Sequence, residues 1–220
     1  MSWRTMPHTL VLIPTELELD RLEDDGGFPA GTTVEVCGFG PIAAAARSVQ
    51  LIALHQPARV LLVGIAGSFD VARYPVGSAF AFERVRIEGI GAGMGLDLMG
   101  PAALGFPQLP ARGSDPAVIE ELELKPRRLK HTAPLLLTTC AASACAEQAQ
   151  ARTTRHRGAC AEDMEGFAVA LSCALLRTPL SIVRGISNQV GDRDSTRWKI
   201  PAALRAARLR AWEELEESEA

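Results

Sequence analysis

The stretch at residues 162–198 reads EDMEGFAVALSCALLRTPLSIVRGISNQVGDRDSTRW, in which two apolar segments are bounded by charged and polar residues. Its apolar segment at 167–176 is typical of a buried helix, which Pro179 ends. The apolar run at 180–183 then predicts a buried strand, and charged and polar side chains follow it. Because ligands of open α/β sheets bind beyond the carboxyl ends of strands, we interpret this stretch as half of a ligand site.

Apolar runs elsewhere predict further buried strands, at residues 9–13, 32–37, 60–63, 134–139 and 158–161. The segments between and after them predict helices, at residues 43–55, 144–152 and 202–217. This alternation is typical of an α/β protein, and a chain of 220 residues fits one domain spanning 1–220.

Three segments are less regular. Residues 77–88 are predicted to form an extended hairpin, and residues 120–130 a solvated helix or turn because they are highly charged. Residues 89–114 are rich in Gly, Pro, Met and Leu, and so long a loop is usually functional. We interpret it as a cover over the substrate.

Composition excludes several classes of function. A net charge of −3 and a single tyrosine argue against binding to nucleic acid or to an anionic membrane. No apolar run approaches the ~20 residues of a membrane span, and residues 1–4 do not begin a secretory leader. The five cysteines form no C-x-x-C pair, so we expect reduced cysteines in the cytoplasm and no metal site.

The pattern Gly38-x-Gly40-x-x-Ala43 has the spacing of a dinucleotide-binding fingerprint. That fingerprint also requires an acidic residue about 20 positions further on, and residues 57–60 contain none. The pattern therefore favours a tight turn between a strand and a helix. A Rossmann oxidoreductase remains the alternative from another class of protein.

The string MEG at 164–166, followed by a strand that ends RGISN at 184–188, resembles the superfamily of purine nucleoside phosphorylases and methylthioadenosine/S-adenosylhomocysteine nucleosidases. The longer string at 184–194 is most similar to a hydrolase branch that cleaves a 6-oxopurine nucleoside with a bulky 5′ substituent. The resemblance implies a three-layer α/β sandwich with a mixed central sheet.

The resemblance also implies how the ribose is held. Met164 would pack on the ribose, and Glu165 would bind its 2′- and 3′-hydroxyls, which a carboxylate accepts well. The negative charge of Glu165 would also stabilise the oxocarbenium-like transition state. The alternative is that Glu165 only caps the helix that follows it.

Glu18 follows the first strand, where the related nucleosidases carry the glutamate that activates water; Glu16 is the fallback. Thr15 and Glu18 also have the spacing of a capping box, so Glu18 could serve only the helix end. Arg184 is expected to hold water beside Glu18, and its alternative is an ion pair with Glu18 or Glu165.

Asn188 is expected to read the base. A neutral amide offers both a donor and an acceptor, which suits N7 and O6 of hypoxanthine, although an asparagine at a strand end is also common in turns. Asp192 and Asp194 are candidates for delivering a proton or orienting Asn188. Trp198 closes the similar string and is predicted to contact the substrate.

Two further segments are assigned to the pocket by resemblance. Ala66 and Gly67 would lie against the ribose and the attacking water, but Ile65 replaces a serine of the related nucleosidases, so Ser68 is a possible substitute. Ser143 would line the base pocket, or would instead be the N-cap of the helix after it.

The predicted reaction is hydrolysis of an N-glycosidic bond with release of hypoxanthine. No metal or organic cofactor is implied, and relatives suggest a homo-oligomer, a dimer or larger. A nucleoside phosphorylase is the alternative within the superfamily, but residues 60–69 lack the arginine that would hold phosphate. A purine-binding module without catalysis is the third alternative.

Overall fold

The computed structural model describes residues 8–127 and 130–216, so residues 1–4, 128–129 and 217 of the predictions above lie outside it. The strands are β1 (Thr9–Ile13), β2 (Thr32–Val36), β3 (Arg59–Ser68), β4 (Ala79–Phe82), β5 (Arg84–Glu88), β6 (Glu121–Glu123), β7 (Thr132–Ala133), β8 (Leu135–Thr139), β9 (Ala159–Asp163) and β10 (Leu180–Gln189). The helices are α1 (Glu16–Asp24), α2 (Gly40–His55), α3 (Pro101–Leu104), α4 (Ala146–Arg155), α5 (Gly166–Leu175) and α6 (Ile200–Leu215). Among these residues no helix combines the length and apolarity needed to cross a membrane.

All ten strands join one mixed sheet with β3 at its centre. β10 runs parallel to β3 along its length. The other edge of β3 is shared, since its first residues pair with β1 in parallel and its last residues, Gly67 and Ser68, pair with β9 in antiparallel fashion. The carboxyl ends of β1, β3 and β10 therefore meet the crossing strand β9 at one place.

The alternation of side chains along the central strands builds two apolar layers. Leu10, Leu62 and Ile182 pack with residues of α2 and α5 on one face of the sheet. Val11 and Val63, each one residue away, pack with α1 and α6 on the other face. The predicted sandwich of three layers with a mixed central sheet is confirmed.

The turn before α2 explains the glycine pattern. Gly38 and Gly40 have φ angles of +96° and +79°, which favour glycine, and a Cβ on Gly38 would lie 3.0 Å from the Cβ of Ala43. Pro41 occupies the first turn of the helix, where a missing N–H costs nothing. The helix consequently begins at Gly40, three residues before the predicted start.

The predicted hairpin at 77–88 is wrong. β4 pairs with β10 and β7, whereas β5 pairs with β8 and β6. Glu83 separates the two strands, and its N–H and C=O bind Ala133 and Leu124 rather than a partner strand of a hairpin.

Residues 121–123 form strand β6, so the helix or turn predicted at 120–130 is wrong for these residues. Glu121 on β6 forms ion pairs with Arg84 and Arg86 on β5. The charges that suggested a solvated segment instead pair across two strands.

We predict that Gly185→Ala destabilises the fold, because a Cβ on Gly185 would lie 2.0 Å from the carbonyl oxygen of Ala203 on α6. Helix backbone cannot yield as a flexible side chain can, so we expect a loss of about 2–4 kcal/mol in the free energy of unfolding. Urea denaturation measures it, with Ala202→Ser on the exposed side of α6 as control. Equal stability of the two variants would contradict this packing.

Candidate active site

A pocket of about 290 Å³ opens where the central strands end. Eight of the ten predicted site residues line it: Glu18, Ala66, Gly67, Ser143, Met164, Glu165, Asn188 and Trp198. Arg184 and Asp192 do not line it. The pocket thus combines side chains from β3, β10, α1 and the start of α5.

Arg184 lies fully buried beneath the pocket. Its Nε and Nη2 donate to Asp163 Oδ2 at 3.0 and 2.6 Å, and Nη2 also donates to Glu165 Oε2 at 3.3 Å. The predicted alternative, an ion pair with Glu165, is therefore present. Its Nη1 has no hydrogen-bond partner among the residues that the structure describes.

Gly64 on β3 leaves the space into which Arg184 and Glu18 converge. A Cβ at Gly64 would lie 2.2 Å from Arg184 Nη1 and 2.9 Å from Glu18 Oε1. A side chain at this position would therefore displace both groups. The unpartnered Nη1 and the carboxylate of Glu18 face the same small volume.

Glu18 closes the predicted capping box at the start of α1 and also contacts β3. The hydroxyl of Thr15 accepts from the Glu18 N–H at 3.2 Å and donates to Glu18 Oε2 at 2.8 Å, which satisfies the start of α1. Glu18 Oε1 accepts from the backbone N–H of Ile65 at 3.0 Å. Burial raises the pKa of Glu18, although the charge of Arg184 and these hydrogen bonds oppose the shift.

The backbone N–H of Ile65 binds Glu18, but this position carries no hydroxyl that could face the attacking water. Ser68, the suggested substitute, is buried, does not line the pocket, and accepts from the N–H of Asp70 at 3.2 Å. Replacement of the serine by isoleucine thus leaves Glu18 with a donor on this strand.

Glu165 occupies the N-cap position of α5, but its side chain makes no capping hydrogen bond, so the alternative that it only caps this helix is wrong. Its Oε1 accepts from the N–H of Gly40 at 2.9 Å, which gives the glycine turn a function in the site. Asp163 Oδ2 accepts from the N–H of Gly166 at 2.8 Å and so satisfies the helix end. Burial raises the pKa of Glu165 to about 7; Arg184 opposes the shift and Asp163 adds to it.

Asn188 lies at a bulge near the end of β10, where the register against β3 shifts between Ile186 and Asn188. Its Oδ1 accepts from the hydroxyl of Ser187 at 2.7 Å, and its Nδ2 donates to the carbonyl of Gln189 at 2.8 Å. An amide has two lone pairs and two N–H bonds, so one of each remains for a ligand.

Asp192 holds Trp198 instead of facing the pocket. Its carbonyl accepts from the Trp198 indole N–H at 3.1 Å, and its carboxylate accepts from Arg197 at 2.7 Å. Asp194 begins the short 3₁₀ helix at Ser195–Arg197 by accepting from the N–H of Thr196 at 3.1 Å. Both aspartates therefore shape the segment that presents Trp198.

Sequence reasoning missed a clamp at the Ser143 side of the pocket. Glu162 accepts from the N–H and hydroxyl of Ser143 at 2.7 and 2.8 Å, and Arg152 binds Glu162 at 2.5 Å and the carbonyl of Ala141 at 2.7 Å. Glu162 belongs to the acidic string at residues 162–165, but no sequence pattern around Arg152 indicates its contact with Glu162. The N-cap alternative for Ser143 is wrong, because α4 begins at Ala146 after Cys145.

The loop at 89–114 contributes no lining residue to this pocket within the described chain. No cluster of three or more His, Cys, Asp or Glu side chains suited to a metal ion occurs in residues 8–127 and 130–216.

Residues 31–216 match the family model of the phosphorylase superfamily, and the chain belongs to that superfamily. A solved nucleosidase of 5′-methylthioadenosine and S-adenosylhomocysteine from Colwellia psychrerythraea, in complex with adenine, has a TM-score of 0.74 at 20% identity, covering 96% of this chain and 95% of that one. It shares the fold.

Within the superfamily the sequence groups with the futalosine hydrolases. That of Streptomyces coelicolor is 32% identical over 183 residues, 81% of this chain and 76% of the relative. That of Thermus thermophilus is 32% identical over 214 residues, 90% of each chain.

We predict that the stability of Glu165→Gln relative to the wild type rises with pH. The folded pKa of about 7 lies above the ordinary 4.5, so the stabilisation from holding the proton is complete below pH 4.5 and is lost as the pH rises through 7. The glutamine never ionises. Thermal unfolding at pH 5 and pH 8 measures the difference, with the exposed Glu16→Gln as control; a difference that does not change with pH would contradict the raised pKa.

Proposed function

We propose that the protein hydrolyses the N-glycosidic bond of futalosine, releasing hypoxanthine and dehypoxanthine futalosine in menaquinone biosynthesis. The observation that carries the proposal is the convergence of Glu18, Glu165 and Asn188 on one pocket above Arg184. Each group matches one requirement of the reaction. Glu18 would activate the nucleophile, Glu165 would stabilise the ribosyl cation, and Asn188 would bind the leaving base. The curated relatives carry the same activity in their names.

Glu165 and Met164 are assigned to the ribose. The Glu165 carboxylate is held on both sides, by the N–H of Gly40 and by Arg184, so its orientation is fixed before substrate arrives. A preoriented carboxylate accepts the 2′- and 3′-hydroxyls and stabilises positive charge as it develops in the transition state. Met164 supplies apolar surface beside it.

Glu18 is assigned as the base that activates water. Burial raises the pKa of Glu18, which makes its carboxylate a stronger base, and the N–H of Ile65 fixes one of its oxygens. Arg184 acts on Glu18 from beneath the pocket, since its Nη1, which has no partner among the described residues, lies beside Gly64 together with Glu18 Oε1. The segment at Ala66 and Gly67 forms the adjoining wall.

Asn188 and Ser143 are assigned to the base. The free donor of Asn188 can bind N7 or O6 of hypoxanthine and so stabilise the negative charge that develops on the leaving purine. The clamp of Glu162 and Arg152 keeps the backbone around Ser143 against the purine. Asp192 acts indirectly, by positioning Trp198.

The alternatives have less support. A phosphorylase needs a phosphate site, and the described residues lining the pocket include four carboxylates and one arginine, Arg193. An oxidoreductase needs the glycine turn for a dinucleotide, whereas the N–H of Gly40 is engaged by Glu165. A purine-binding module without catalysis would not need a buried carboxylate beside an unpartnered guanidinium nitrogen.

We also infer a homo-oligomer, a dimer or larger. Large apolar side chains are exposed at Phe39, Ile42, Met94 and Phe106, with exposed fractions of 65, 86, 85 and 74%. Burial of such a set in an interface would remove it from water. Sedimentation at micromolar concentration tests the inference, and a monomer there would contradict it.

The direct experiment measures hypoxanthine or adenine release from inosine, methylthioadenosine and futalosine, each with and without phosphate. Futalosine should be the preferred substrate, with no requirement for phosphate. A requirement for phosphate would favour the phosphorylase, and binding of hypoxanthine without release from any nucleoside would favour the binding module.

We predict that Glu18→Gln lowers kcat by about 10² or more, because a general base is lost, while hypoxanthine still binds. Glutamine can replace glutamate in the hydrogen bonds at the helix start, so the fold should persist. Glu16→Gln is the matched control, since it removes an exposed carboxylate two residues earlier. Full activity of Glu18→Gln with a loss in Glu16→Gln would assign the base to Glu16.

We predict that the wild type prefers a 6-oxo over a 6-amino nucleoside sharing one 5′ group, and that Asn188→Asp loses this preference. An ionised aspartate would face O6 acceptor to acceptor, and matched hydrogen bonds can discriminate by about 10⁴. The ratio of kcat/KM values measures the effect. Gln189→Glu, which adds the same charge on an exposed neighbour, is the control. Equal kcat/KM values for the wild type would mean that Asn188 does not read the base.

A further inference from the structure

Arg193 is a charged residue of the pocket that the proposed reaction does not use. It lines the pocket and is exposed, so it lies at the mouth. Its guanidinium carbon lies 5.0 Å from the centre of the Trp198 ring. A cation over an indole face is held by the ring quadrupole, which gives this long side chain a preferred position.

The acidic residues on either side of Arg193 form ion pairs with a different arginine. Asp192 and Asp194 both form ion pairs with Arg197, at 2.7 and 3.3 Å. Among residues 8–127 and 130–216, no carboxylate forms an ion pair with Arg193. The segment thus places one guanidinium on an aromatic platform and directs the adjacent negative charges away from it.

The charges of the pocket are distributed unevenly. The four lining carboxylates, Glu18, Glu162, Asp163 and Glu165, are buried in its floor and walls and have hydrogen-bond donors of the protein. Arg193 is the one cation among the described lining residues, and it lies at the opening. A ligand suited to this pocket would be neutral where it is buried and negative where it emerges.

The proposed orientation of the nucleoside identifies the group that emerges. The base would face Asn188 and the clamped loop, and the 2′- and 3′-hydroxyls would face Glu165, so both would be tied to the interior. The 5′ carbon is the remaining position that bears a substituent. What reaches the mouth is therefore the end of the 5′ group.

We propose that Arg193 is a specificity residue that binds a carboxylate at the end of the substrate's 5′ substituent, with Trp198 as its platform. This rests on the proposed function and adds to it the residue that would select among 5′ groups. A planar guanidinium can bind a carboxylate with two parallel hydrogen bonds, which a lysine cannot do. The body of the substituent would pack on the apolar wall formed with Phe39 and Leu17.

The test compares two inosine derivatives whose 5′ substituents have equal length and end in a carboxylate or in the corresponding carboxamide. The wild type should favour the carboxylate by roughly tenfold in kcat/KM, mainly through KM, and added salt should reduce the ratio. Arg193→Gln should bring the ratio close to one. Arg205→Gln, an equal change of charge at an exposed site on α6, should keep the wild-type ratio.

Three results would overturn the inference: a wild-type ratio near one, a ratio that survives Arg193→Gln, or a stimulation by inorganic phosphate that Arg193→Gln abolishes. The last would make the anion a co-substrate. If neither compound is cleaved, the proposed function fails, and the dissociation constants of the same pair, measured by calorimetry on the same variants, decide the inference separately.

Discussion

The buried guanidinium of Arg184 is the constraint on which the site depends. A charge removed from water is tolerated only when it is paired and hydrogen-bonded, and removal of one partner from such a pair costs about 3–5 kcal/mol. Asp163 and Glu165 provide the pairing, so the end of β9 and the start of α5 must lie against β10. The absence of a side chain at Gly64 provides the space. The arginine thereby fixes both the fold at this point and the direction of the carboxylates.

The same network explains why separate parts of the sequence act together. Asp163 binds Arg184 and also satisfies the first N–H of α5, while Glu165 reaches across to the turn at Gly40. One capping carboxylate is enough to satisfy the first N–H of α5. Here the capping role belongs to Asp163, which leaves Glu165 for the pocket. The division of roles between neighbouring acids is what turns a helix start into a site.

Much of this arrangement was predictable, and the failures have physical causes. Apolar runs predicted the central strands because buried parallel strands need continuous apolar side chains, and β1 has the predicted bounds, residues 9–13. The hairpin prediction failed because two adjacent strands pair with different neighbours, which no local pattern records. The charge of Glu121 suggested a solvated segment because its ion pair with Arg86 on the neighbouring strand leaves no local sequence pattern. The contact of Arg152 with Glu162 joins residues whose partnership depends on where α4 packs, so spacing alone could not reveal it.

Glu18, held above the buried Arg184, is proposed to direct water and not phosphate at the ribosyl carbon. The identity of the sugar product formed from futalosine in phosphate buffer, followed by phosphorus NMR and mass spectrometry, tests this proposal. We expect a free reducing sugar and no phosphate ester at any phosphate concentration. Accumulation of a sugar 1-phosphate would contradict it and would assign the pocket to phosphorolysis.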